Sequence, residues 1–332
     1  MVRPEPILDI GYQQEEKPLK LPELRIGNLV ARLPIVQGGM AVKISTAALA
    51  GAVAREGGVG VLAGTGLSQE EVREEIRRAR KISSGILGIN VLFAVKNFAE
   101  LVQTAIAERI DVVFSGAGFS RDMFGWGRAS GTPIVPIVSS ARLAAMAEKL
   151  GASAVVVEGK EAGGHLGTDR SMRDIVPEVR RAVNIPVIAA GGVIDGRDVA
   201  EALRLGADGV QMGTRFAASE ESNAPQAVKE MYVASQAGDV VLMKSPVGLP
   251  ARGLRNAMST RLEADGRIPI RKCNDCLKRC SRSFCIFEAL HDAVDGRIQS
   301  AAVFCGQEVY RIKEILPVRE IFRRLVAEVE AV

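Results

Sequence analysis

Ala154-Val-Val-Val-Glu158-Gly-Lys-Glu-Ala-Gly-Gly-His165-Leu-Gly167 is the stretch from which the fold can be read. Its first four residues are apolar and mostly β-branched, the composition of a parallel strand buried on both faces. Glycines 159, 163, 164 and 167 follow, where backbone can approach another group with no Cβ in the way. Within that ribbon His165 is a side chain able to gain or lose a proton near neutral pH. A buried strand running into a glycine-rich loop with one ionisable group is a common form of enzyme site on an α/β scaffold.

Outward from this stretch the pattern repeats. Apolar runs at Leu33–Gln37, Val59–Ala63, Leu87–Leu92, Asp111–Ser115, Ile134–Val138, Ala154–Val157, Pro186–Ala190 and Gly209–Met212 read as strands. Helical periodicity fills most gaps, at Ser45–Glu56, Ser68–Lys81, Lys96–Glu108, Ser139–Leu150, Ser171–Ala182 and Gly196–Leu205, with Arg121–Ala129 the weakest crossover. Ser45, Ser68, Ser139 and Ser171 stand where an N-cap hydroxyl is expected. Eight successive βα units predict a TIM (β/α)8 barrel over an open doubly wound sheet.

Three segments result: an N-terminal entry segment (1–30, with Pro4, Pro6, Pro18 and Pro22), a barrel (31–244), and a C-terminal extension (245–332). Lys244–Gly253 reads as loop, and Val318–Glu330 as a final amphipathic helix. The chain has 332 residues, 47% of them hydrophobic and only 4% aromatic, so the core is aliphatic. Its 43 basic and 39 acidic residues leave a formal charge of +4, and few aromatics interleave the basic runs. That argues against a nucleic-acid partner. No apolar run nears the roughly 20 residues of a membrane span, and no secretory leader is evident, so a cytoplasmic location is expected. The sequence carries no signal for an oligomeric state.

In a barrel, chemistry collects at the C-terminal strand ends, with phosphate at the loops after strands seven and eight. Those loops carry Ala189-Ala-Gly191-Gly192-Val and Gln211-Met212-Gly213-Thr214-Arg-Phe, whose glycine amides suit an anion.

Five motifs then stand in order: Pro34-Ile-Val-Gln37-Gly38-Gly39-Met40, Gly88-Ile-Asn90-Val, Glu161-Ala-Gly163-Gly164-His165, Ile188-Ala-Ala-Gly191-Gly192, and Gln211-Met212-Gly213-Thr214-Arg-Phe. Over about residues 25–240 the chain resembles the nitronate monooxygenase (2-nitropropane dioxygenase) family and its close relative, FMN-dependent enoyl-ACP reductase II. The resemblance implies bound FMN, with Gln37, Gly38, Gly39 and Met40 lining the flavin ring and Asn90 hydrogen-bonded to it. It places Gly163 and Gly164 over the cofactor and Gly191, Gly192, Gln211, Met212, Gly213 and Thr214 about its phosphate. His165 is then the catalytic residue. Glu158 is also expected at the cofactor; in many nitronate monooxygenases a glutamine matches it, whereas the enoyl reductases resemble this chain in having Glu-Gly there.

The first expectation is therefore oxidation of a nitronate with O2 through the flavin, and the alternative is NAD(P)H-linked reduction of an enoyl thioester. A non-redox isomerase or aldolase on a phosphorylated substrate, and a scaffold without catalysis, are the readings from other classes. Apart from Glu158 and Glu161, no lysine or carboxylate pair stands at a strand end to serve such an isomerase.

Cys273, Cys276, Cys280 and Cys285 have the spacing C-x2-C-x3-C-x4-C. Four thiols so close can ligate a 4Fe-4S cluster or Zn2+, or remain free. A cluster beside FMN would pass single electrons to or from a carrier protein. Cys305 reads as a buried apolar residue and His291 as a solvated helix residue.

Overall fold

In the computed structural model, which describes residues 20–332, the apolar runs form a single parallel sheet. Its strands are Ile35–Gln37, Gly60–Ala63, Leu87–Leu92, Val112–Gly116, Ile134–Val138, Val155–Glu158, Val187–Ala190 and Gly209–Met212. Each pairs in parallel with its chain neighbour from the second to the eighth, and the eighth pairs with the first. Val36 and Val59 complete the ring through a parallel bridge, in which Val59 N donates to Ile35 O at 2.9 Å. The fold is a TIM barrel, as the spacing predicts.

Helices alternate with the strands, including a full ten-residue helix Arg121–Ser130 at the weakest crossover. There Ser120 accepts from Asp122 N, and Gly131 ends the helix at φ +73°, a left-handed conformation that favours glycine. Ser68 and Ser171 cap their helices as expected. Ser45 and Ser139 do not, because each helix begins one residue later and Thr46 and Ser140 occupy the cap positions. Both serines brace loops instead. Ser45 Oγ accepts from Met40 N at 2.9 Å, and Ser139 Oγ donates to Gly167 O at 3.1 Å.

A short antiparallel hairpin, Leu24–Ile26 with Leu29–Ala31, precedes the barrel. Its Leu24 and Ile26 are buried in one cluster with Val36, Val61, Phe114, Val156 and Ile188. They help fill the barrel end opposite the glycine-rich loops. Pro4, Pro6 and Pro18 of the entry segment lie outside the described residues.

Beyond the barrel, Val240–Lys244 and Pro250–Leu254 form a hairpin whose second strand pairs antiparallel with Gly164–His165. This corrects the expectation of a loop over 244–253. Pro250 is tolerated because it is the first residue of its strand. The final helix spans Val318–Glu330, as read from sequence, and packs on the helices Ala47–Arg55 and Gly196–Arg204. Its Glu328 accepts from Gly196 N at 2.7 Å. Among the described residues, no helix is long and apolar enough to cross a membrane.

Candidate active site

Loops from the C-terminal ends of the strands surround one cavity of about 260 Å³. Gly38, Gly39 and Met40 line it after strand one, Asn90 from strand three, and Glu158 from the end of strand six. Gly163, Gly164 and His165 follow from the next loop. Gly191, Gly192, Gln211, Gly213 and Thr214 also line it. The structure thus gathers thirteen of the fifteen predicted catalytic and cofactor residues around one space. Gln37 and Met212 stand behind it, 0% and 1% exposed. The Gln37 side chain donates to Ser45 Oγ at 2.9 Å and accepts from Val61 N at 3.1 Å, bracing strands one and two together.

A further part of the wall comes from residues beyond 245. Val247, Leu277, Ile286, Phe287 and Leu290 form an apolar annex, and Phe304, Cys305 and Gly306 cover the glycine loop. Contact there is close: a Cβ on Gly163 would lie 2.5 Å from the Cys305 carbonyl carbon. Arg252 is buried and donates to Lys160 O and to Ala162 O, while Gln307 N donates to Glu161 O at 2.8 Å. The glycine loop, flexible by composition, is fixed by this clamp.

His165 Nε2 lies 2.7 Å from Ser245 Oγ, and its ring meets Phe304 edge-to-face at 5.4 Å. Burial pushes the imidazole down to about 4, so it is neutral at physiological pH. Because Nε2 is engaged by Ser245, Nδ1 is the ring nitrogen left for another partner. Glu158, with no partner to offset its burial, is pushed up to about 8. It therefore holds its proton at neutral pH. Cys305 is buried as expected, and burial raises its thiol to about 12, which makes it inert.

The cavity residues fit FMN. Asn90 Nδ2 donates to Gly39 O at 3.1 Å, but Asn90 Oδ1 is buried with no donor. An isoalloxazine N–H is a group of the kind it lacks. At the opposite side Gly191 and Gly192 adopt φ +103° and +78°, which suits glycine alone without strain. A Cβ on Gly213 would meet nothing nearer than Met40 Sδ at 3.8 Å, so that loop stands open towards the cavity. Thr214 Oγ1 accepts from Gly306 N at 2.8 Å, tying the phosphate-type loop to the C-terminal wall.

The four clustered cysteines line a second cavity, of about 180 Å³. Among the described residues, no three His, Cys, Asp or Glu side chains converge as ligands of a metal ion. Burial, then the other three thiols, push Cys276 up. His291 is half-buried on the helix Ile286–Val294.

Ser245, Phe304, Gly306 and Glu308 escaped sequence reasoning, because each reaches the cavity through long-range packing that no local spacing announces. Glu161 was visible in its motif. It is 5% exposed, and it accepts from Met172 N at 3.0 Å to hold the loop against the following helix.

Comparison with known proteins shows the family. The family model described as nitronate monooxygenase matches residues 24–111 and 93–328. FabK from Thermotoga maritima superposes with a TM-score of 0.82 at 34% identity, covering 91% of this chain and 94% of that one. A nitroalkane oxidase from Streptomyces ansochromogenes gives 0.76 at 27% identity, covering 91% and 96%. By sequence, the (3aS,4S,5R,7aS)-5-hydroxy-7a-methyl-1-oxo-octahydro-1H-indene-4-carboxyl-CoA dehydrogenase of Rhodococcus jostii is 33% identical over 235 residues. That match covers 71% of this chain and 66% of the relative, just under two thirds of its length. A probable nitronate monooxygenase of Staphylococcus aureus is 29% identical over 282 residues, covering 71% of this chain and 79% of the relative. The chain belongs to the nitronate monooxygenase family of FMN-dependent oxidoreductases.

Proposed function

We propose that this flavoenzyme reduces the carbon–carbon double bond of an uncharged enoyl thioester, with NAD(P)H as a two-electron donor. One observation carries the reading: among the described residues no lysine or arginine lines the cavity, and its histidine is neutral. An anionic nitronate held there would lose water without gaining a cation, whereas a thioester carbonyl needs only hydrogen-bond donors. The apolar annex of Val247, Leu277, Ile286, Phe287 and Leu290 suits an acyl chain. A relative named as acting on a carboxyl-CoA supports the same class.

Bound FMN would supply the electron pair. Neutral His165, tethered through Nε2 by Ser245, orients the thioester carbonyl by a hydrogen bond from its other nitrogen. Reduction adds two electrons and two protons overall. The proton taken up at the α-carbon comes from Glu158, whose pKa of about 8 suits proton transfer near neutrality. Solvent then restores it.

The family model and the Staphylococcus aureus relatives favour a second reading, oxidation of an alkyl nitronate with O2. Parallel assays with NADH plus crotonyl-CoA, and with propyl nitronate plus O2, separate the two. Faster turnover of the thioester is expected; turnover of the nitronate alone overturns the first reading. His165→Ala should slow the favoured reaction by roughly 100-fold.

A further inference from the structure

The four-cysteine cavity shares its wall with the central one. Leu277 and Ile286 line both, so the thiols adjoin the apolar annex of the cavity that fits the flavin. The cysteine loop is held there by backbone pairing. Lys96 N donates to Cys276 O and Lys278 N to Ala94 O, both at 2.9 Å, and Val95 and Leu277 form an antiparallel bridge. This anchors the loop to the segment that follows strand three, the strand carrying Asn90.

The sulfurs already take hydrogen bonds suited to ligating thiolates. Arg282 N donates to Cys280 Sγ at 3.4 Å and Glu288 N to Cys285 Sγ at 3.5 Å, the latter at a helix N-terminus. Asp275 and Arg282 adopt positive φ, +48° and +57°, a strain that non-glycine residues accept mainly where a loop is shaped for a purpose. The four thiols line one cavity of about 180 Å³, and four cysteine thiolates are the ligand set of a 4Fe-4S cubane.

We propose that Cys273, Cys276, Cys280 and Cys285 hold a 4Fe-4S cluster that is a single-electron entry to the flavin cavity from an acidic one-electron carrier protein. Arg271, Lys272, Lys278, Arg279 and Arg282 are exposed around the loop, and its one acidic residue, Asp275, is paired with Lys96. That rim complements an acidic partner. Each reduced carrier is oxidised by one electron and the cluster passes it inward. Two such transfers, with two protons from water, balance the saturation of one double bond. NAD(P)H would be an alternative donor of the same pair.

The test uses full-length protein purified anaerobically and reconstituted with ferrous iron and sulfide. About four iron and four labile sulfide per chain are expected, with an EPR signal after dithionite reduction. Cys276→Ser and Cys280→Ser should lose most of the iron while keeping FMN and the circular-dichroism spectrum; Cys305→Ala should keep the iron. Mixing with a reduced two-iron ferredoxin should bleach the flavin of the wild type at least tenfold faster than that of Cys280→Ser. The charge reversal Lys272→Glu with Arg279→Glu should slow bleaching at low salt with iron content unchanged. One zinc and no iron per chain, or equal iron in Cys276→Ser, overturns the cluster. Equal bleaching rates in Cys280→Ser and wild type overturn the electron route. None of these readouts depends on the thioester assay.

Discussion

His165 Nε2 and Ser245 Oγ meet at 2.7 Å although 80 residues separate them in the chain. The contact joins a barrel loop to the turn of the hairpin that pairs with it. Ser245→Ala should leave the flavin bound and the fold intact but free the imidazole to rotate. Turnover is expected to fall about tenfold, with Ser245→Thr recovering part of it, as measured by steady-state kinetics. An unchanged kcat in Ser245→Ala would remove the tether from the mechanism.

Glu158 gives a pH signature. Its carboxyl, raised to about 8 by burial, is a proton donor below that pH and a carboxylate above it. Turnover should decline as the pH rises through about 8. Glu158→Gln should slow the reaction by roughly 100-fold and abolish that alkaline limb. A limb that survives in the glutamine variant would belong to another group.

His165 acts on stability with the opposite sense. In the unfolded chain the imidazole takes up a proton as the pH falls below about 6.5, whereas in the fold it waits until about 4. Its neutral burial is therefore fully tolerated above about 6.5, and stability is lost as the pH drops towards 4, by up to about 3 kcal/mol. His165→Gln should flatten the dependence of urea unfolding over that window.

Gly39 tests the flavin seat. A Cβ there would lie 2.5 Å from Asn90 Cβ and 3.0 Å from Leu62 O. Gly39→Ala is expected to cost about 1–3 kcal/mol and to displace Asn90, weakening FMN retention on gel filtration. Gly213→Ala meets only Met40 Sδ, at an ordinary van der Waals distance of 3.8 Å, and should fold as well as the wild type.

The barrel was legible because each strand is a short apolar run, and burial on both faces leaves no other reading for Val155–Val157 or Val187–Ala190. Glycines and His165 were legible because they follow those runs directly. The caps at Thr46 and Ser140 were misplaced by one residue because neighbouring hydroxyls compete and packing decides between them. Gln37 carried no mark of its bracing role, which depends on Val61 lying opposite. The C-terminal wall was the least legible. Strand Pro250–Leu254 begins with proline, and its partner is the two-residue segment Gly164–His165, so local pattern was silent on both.

The bond from Gly306 N to Thr214 Oγ1 sets a timetable for biosynthesis. All eight barrel strands leave the ribosome before residue 306 is made, yet the phosphate-type loop gains this partner only afterwards. A nascent barrel thus presents a half-walled seat in which Cys305 and Gly306 do not yet cover Gly163. The wall that closes over the glycine loop is therefore the last part of the site to be synthesised.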